Sequence, residues 1–229
     1  MSLVLENMIG TLESTGDFRV LRRFDRPETY NEEDQSPTLL GVVVDVETTG
    51  LDAASCGLLE VAIVPFTFCR ETGRIFRVLP AYSALHDPGM PIPEAVTLLT
   101  GITDDMVKGQ GADPEAVQAI VKDAAIVIAH HAAFDRPVLE RYFPIFATKA
   151  WACSCTQIDW RAEGYGTEKL ELLAYKHRLW YVAHRADDDC RLVIELLSRT
   201  LPRSSKLALL ALLQAARRPT WRIVAVDAP

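Results

Sequence analysis

Residues 38–50 read TLLGVVVDVETTG, from Thr38 to Gly50. The run of valines before Asp45 is β-branched and apolar, so the stretch reads as a buried central strand. Period-two geometry puts Asp45 and Glu47 on one face and Val46 on the other. Two carboxylates side by side in an apolar strand repel each other and lose solvation, so something must compensate them. A divalent cation is the natural compensator, because Mg²⁺ and Mn²⁺ prefer carboxylate and water oxygens. The plainer alternative is a solvated strand end with two ordinary acids, and this stretch alone does not choose between them.

Outward from that strand, residues 58–68 (LLEVAIVPFTF) and 73–85 (GRIFRVLPAYSAL) read as two further strands. They are separated by CRETG, whose Thr-Gly suits a hairpin turn. Helix signals then alternate with strand signals. Asp113, Pro114 and Glu115 mark an N-cap, a first helical position and a first turn. Residues 124–130 (AAIVIAH) form a short buried strand, followed by a helix over RPVLERYF. Residues 167–179 read as a helix with Thr167 available as N-cap. Residues 187–201 read as another, with Asp187, Asp188 and Asp189 at the end where the helix dipole favours negative charge. KLALLALLQAARR is a last apolar helix, and TWRIVAVDA reads as a closing strand. This order predicts a mixed sheet flanked by helices.

The chain of 229 residues, 49% of them hydrophobic, is long enough for one domain with a substantial core. Residues 1–38 read as an N-terminal extension, amphipathic over 3–14 and ending in the polar linker ETYNEEDQSP. The compact domain is expected over 39–201, with a C-terminal helix and short tail over 202–229. A net charge of −7 argues against a broad non-specific nucleic-acid surface, but bound cations would reverse the local effect of any acids that hold them. The five cysteines include C-x-C at Cys153 and Cys155, not the C-x₂-C of structural zinc sites, so buried or half-buried thiols are expected. No apolar run approaches the ~20 residues that span a bilayer, and the first residues lack a signal-peptide pattern. No membrane association and a cytoplasmic location are therefore the expectations.

Two further constellations carry chemistry. His130-His131-Ala132-Ala133-Phe134-Asp135 follows a buried strand and opens a helix, so Asp135 sits at a junction that projects side chains into the crevice beyond a strand end. Alone, Asp135 reads more simply as a helix cap. His184-Arg185-Ala186-Asp187-Asp188-Asp189 sets Asp189 five positions after His184, about 140° of rotation on a helix. The two converge only if His184 lies in the loop before the helix and Asp189 in its first turn. Alone, the three Asp read as caps and dipole partners.

The joint order D-x-E, H-x-A-x-F-D and H-x-A-x-x-D resembles the DEDDh (DnaQ-like) 3′-5′ exonuclease superfamily, the group that includes the proofreading epsilon subunit of bacterial DNA polymerase III. The resemblance covers roughly residues 40–200, with LLTGITDDMV (98–107) between the first two motifs. It implies an α/β fold, a ribonuclease H-like mixed five-stranded sheet flanked by helices. It implies two divalent metal ions, Mg or Mn, held by Asp45, Glu47, Asp135 and Asp189, with His184 as general base. Thr48, Thr49 and Leu51 match positions lining the terminal-nucleotide pocket, and Phe134 one packing near it. His131 stands where the second motif commonly has Asn, and can still donate one hydrogen bond near the substrate. The implied partners are nucleic acid with a free 3′ end and a DNA polymerase or other replication or repair protein. The segment ARRPTWRIVAVDAP resembles a tail after which more sequence usually follows, so a chain continuing beyond residue 229 is expected.

The expected reaction is hydrolysis from the 3′ end, most readily of DNA, to nucleoside 5′-monophosphates. A free histidine side chain has a pKa of ~6.5, which suits a base near neutrality, the role implied for His184. Lys176, Arg178, Arg185 and Arg191 are candidate phosphate contacts. Trimming of RNA ends uses the same carboxylates, since only contacts to the 2′-OH tell the sugars apart. A non-catalytic binding module on the same fold has no need of paired buried acids. A phosphatase or other small-molecule hydrolase lacks support: the chain has no G-x-S-x-G, P-loop or H-E-x-x-H.

Overall fold

A computed structural model describes residues 3–216. The elements run α1 (Leu3–Ser14), β1 (Arg22–Arg23), β2 (Thr38–Thr48), β3 (Leu58–Cys69), β4 (Ile75–Val78), β5 (Tyr82–Leu85), α2 (Glu94–Thr100), α3 (Asp104–Val107) and α4 (Pro114–Val121). They continue with β6 (Ile126–Ala129), α5 (Ala132–Tyr142), a 3₁₀ turn (Pro144–Thr148), β7 (Trp151–Cys153), α6 (Leu170–Lys176), β8 (Leu179–Trp180), α7 (Ala186–Ser198) and α8 (Ala208–Ala216).

Among the described residues six strands form the main sheet in the order β4-β3-β2-β6-β7, with β5 also on β3. The β2–β3 pair is antiparallel and the β2–β6 and β6–β7 pairs are parallel, which makes the sheet mixed as expected. Among the described residues, the four strands expected over 38–130 become six for two reasons. Residues 73–85 split at Pro80, which has no N–H to give a ladder, into β4 and β5 pairing with successive parts of β3. β7 has only three residues, too few to show a period. The strand expected over TWRIVAVDA lies outside the described residues.

The alternation in β2 sorts its side chains between two cores. Val43 packs with α7 and α8, whereas Val42, Val44 and Val46 pack with α4 and α5. Asp45 and Glu47 therefore point to the α7 side. Across the ladder Asp45 faces Ala62 and Glu47 faces Glu60. A Cβ at Gly41 would come within 2.7 Å of the Phe66 ring, so glycine lets that buried ring lie across β2.

The N-terminal segment and the polar run after it are tied into this frame by the backbone, which composition cannot show. Strand β1 pairs in parallel with β8, and Phe24 is buried in the α7-side core. Tyr30 N–H donates to Phe76 O and Val78 N–H to Glu28 O, each at 2.8 Å. Helix α5 starts at Ala132, four residues before the expected RPVLERYF, so Asp135 lies inside its first turn with His131 as the N-cap. Thr167 lies outside α6, whose N-cap is Lys169; the Thr167 hydroxyl instead accepts from Lys169 N–H at 3.2 Å.

Candidate metal-binding and catalytic site

A cavity opens beyond the end of β2, lined by Asp45, Glu47, His131, Phe134, Asp135, His184 and Asp189, among others. Three elements meet there. β2 supplies Asp45 and Glu47, the first turn of α5 supplies Asp135, and the first turn of α7 supplies Asp189. His184 sits in the loop just before α7, which is the arrangement that lets it reach the same cavity as Asp189. Carboxylate oxygens of Asp45, Glu47 and Asp189 lie within 4.8 Å of one another. Asp135 is 3% exposed and lines the same cavity, where nearby backbone N–H groups of Asp135, Val46 and His131 partly offset the effect of its burial.

The electrostatics record how closely these acids are packed. Burial, then the charges of Asp135, Asp189 and Glu47, drives the Asp45 carboxyl well above the usual range. Burial and the neighbouring Asp189 and Glu60 push Glu47 up to about 8. Asp135 and Asp189 are both raised, chiefly by burial. Against that trend, Tyr181 Oη donates to Asp189 Oδ1 at 2.7 Å. Gathered acids that resist ionisation, with oxygen as their only donor atom, fit a hard divalent cation such as Mg²⁺ or Mn²⁺.

His184 carries a carboxylate partner, Glu171, with Oε1 3.0 Å from Nε2. Its backbone is left-handed, at φ +60, so the loop needs support on both flanks. Arg185 gives one: its guanidinium reaches Glu60 at 3.1 Å, and Ala186 N–H donates to the same carboxylate at 3.3 Å. Glu60, Tyr181 and Glu171 escaped the sequence reading. A lone Glu in the apolar run LLEVAIV was a visible signal, but its partner lies 125 residues away.

His131 and Phe134 stack with ring centroids 6.4 Å apart and planes 12° apart. His130 is pinned by Ser154 Oγ at 2.9 Å and Glu168 O at 2.8 Å, and burial lowers its pKa to about 4. Thr48, Thr49 and Leu51 do not line the cavity. The Thr48 hydroxyl donates to Gly50 O at 2.7 Å, and Thr49 Oγ1 accepts from Gly57 N–H at 2.9 Å, so both shape the turn after β2. Leu51 is 94% exposed beyond that turn. Of the basic residues singled out, Arg178, Arg185 and Arg191 are engaged by Glu13, Glu60 and Asp187 of the chain itself. The cysteines are free thiols; four are buried and Cys155 is half-buried at the cavity wall.

An α/β fold with a carboxylate-lined cleft at the end of its central strand defines a class, and comparison with known proteins specifies it. The Exonuclease (RNase_T) family model matches residues 42–197, and the chain belongs to that family as a DEDDh (DnaQ-like) exonuclease domain. It is 39% identical over 108 residues to a DNA polymerase III PolC-type protein of Halalkalibacterium halodurans, covering 44% of this chain and 7% of that one. Against the PolC-type protein of Listeria monocytogenes it is 41% identical over 97 residues, covering 41% and 6%. The chain thus spans a small fraction of these relatives. Among solved structures, Exonuclease X in complex with 5′ overhanging duplex DNA superposes with a TM-score of 0.50 at 24% identity, over 79% of this chain and 93% of that one. Exonuclease I of E. coli, solved in a complex with single-stranded DNA, superposes with a TM-score of 0.56 at 18% identity, over 75% and 42%. These two show the same fold. Among the described residues no helix is long and apolar enough to cross a membrane.

Proposed function

We propose that the chain is a metal-dependent 3′-5′ exonuclease that removes nucleoside 5′-monophosphates from the 3′ end of DNA. The observation that carries this reading is the carboxylate cluster of Asp45, Glu47 and Asp189, with Asp135 and His184 on the same cavity. Asp45, Glu47, Asp135 and Asp189 would hold two divalent ions, which when bound supply charge neutralisation at the phosphate and acidify the attacking water. His184 accepts the proton of that water. Glu171 stabilises the resulting imidazolium, and Glu60, through Arg185, keeps the loop in place. The stacked rings of His131 and Phe134 offer a face for a terminal base, a sequence-tolerant contact. Thr48 and Thr49 brace the turn after β2, and exposed Leu51 beyond it would meet the substrate outside the cavity.

DNA is favoured over RNA because both structural neighbours were solved on DNA and the curated relatives are DNA polymerases. The same likeness supports a DNA polymerase or repair protein as partner. The test is digestion of matched DNA and RNA oligomers with Mn²⁺ by wild type, Asp45→Ala and His184→Ala. We expect faster loss of DNA, no detectable rate for Asp45→Ala, and a loss of roughly 10²–10⁴-fold for His184→Ala with Mn²⁺ affinity retained. Full activity of Asp45→Ala removes the metal assignment, and faster loss of RNA reassigns the substrate.

A further inference from the structure

We infer that Arg26 is a positioning residue for this site, and that the N-terminal segment around it straps down the loop carrying His184. The inference rests on the exonuclease reading above but draws on residues outside the matched family region, which begins at residue 42. Arg26 reaches across to the first turn of α7, with one guanidinium nitrogen 3.2 Å from Asp187 Oδ2 and the other on Asp188 Oδ1. The next residue is Asp189. Just upstream in the segment, Arg22 N–H donates to Arg178 O at 2.8 Å and Phe24 N–H to Trp180 O at 2.9 Å. Arg19 donates to the carbonyls of Tyr175 and Lys176 at 3.0 and 3.2 Å, and lies 4.4 Å over the Tyr175 ring. Glu13 holds Arg178.

These contacts bracket residues 175–188, the stretch that contains Tyr181 and His184. β8 has two residues, and among the described residues its strand partner is β1, so the strap supplies its ladder. The loop after it carries His184 at positive φ, a conformation that persists only when its surroundings fix it. Glu60 fixes the downstream flank through Arg185, and the strap fixes the upstream flank and the helix turn beyond. Arg26 has an electrostatic part as well. Asp187 and Asp188 are like charges directly beside Asp189, which lines the cleft that phosphates must enter. Arg26 neutralises both, sharing Asp187 with Arg191 at 3.0 Å.

The experiment compares Arg26→Ala, Arg26→Lys and, as a control at the far end of the segment, Glu6→Ala. It measures kcat and KM on single-stranded DNA at saturating Mn²⁺, together with amide hydrogen exchange of the metal-free proteins. Because small misplacements of reacting groups cost rate steeply, Arg26→Ala should lower kcat about tenfold, leave KM within about twofold and leave Glu6→Ala at the wild-type rate. Arg26→Lys should fall between Arg26→Ala and wild type, since it keeps the charge but not the fork. Exchange should quicken over Tyr181–Ala186 in Arg26→Ala and stay unchanged in β2 and β3. Unchanged exchange over Tyr181–Ala186, a rise in KM with kcat intact, or faster exchange throughout the sheet would each overturn the inference. If the wild type degrades no nucleic acid, the functional reading fails, and the exchange measurement still decides whether the strap holds the loop.

Discussion

Glu47 shows what a single residue reports about this site. Its carboxyl is ordinary in the unfolded chain, near 4.5, and is pushed up to about 8 in the metal-free fold by burial and by Asp189, Glu60 and Asp135. Between those values the folded protein holds a proton that the unfolded chain has released. The stability this contributes is fully present below pH ~4.5 and is lost as pH rises through about 8. His130 works in the opposite sense, but only below its unfolded value near 6.5, so it is silent above that. We expect the metal-free protein to melt progressively lower from pH 6.5 to 8.5, Mn²⁺ to reverse the loss, and Glu47→Gln to flatten the slope; scanning calorimetry with and without EDTA reads all three. A melting temperature independent of pH in that range contradicts the account of the carboxylates. Asp45, Glu47, Asp135, His184 and Asp189 were legible in the sequence because order and spacing are sequence properties. Glu60, Glu171 and Tyr181 were not, because each acts through a partner brought near only by folding.

At the scale of elements, apolar period and turn chemistry located β2, β3, β6 and α7 well, since each carries a run long enough to display its pattern. The three-residue β7 and the two-residue β1 and β8 carry no such run and exist only through their ladders. Residues 73–85 divide into β4 and β5 at Pro80, whose missing N–H cannot join a ladder. The hairpin glycine between β3 and β4 makes a test of packing at this scale. Gly73 adopts φ +73, and a Cβ there would lie 2.5 Å from the backbone nitrogen of Leu210 in α8. Gly73→Ala should therefore destabilise the protein by about 2 kcal/mol or more, from left-handed strain and overpacking together. Chemical denaturation checks this; a change under about 0.5 kcal/mol, typical of an unconstrained surface site, would contradict the packing of α8 on the hairpin.

Over the whole molecule, the sheet supplies the frame, two helices bring acids to its end, and the N-terminal segment holds the loop that leads into α7. Its negative net charge and its acid-lined cleft suit a protein that takes up a polyanion only after cations have filled the cleft. The central claim, that these carboxylates make a metal-dependent enzyme acting from the 3′ end, is tested most directly by one measurement. A single DNA strand labelled at its 5′ end, and the same strand labelled at its 3′ end, are digested with Mn²⁺ and with EDTA. The account predicts a descending ladder from the 5′-labelled strand, immediate release of a labelled mononucleotide from the 3′-labelled one, and no reaction with EDTA. Immediate release of the 5′ label, internal cuts, or degradation that persists in EDTA would contradict it.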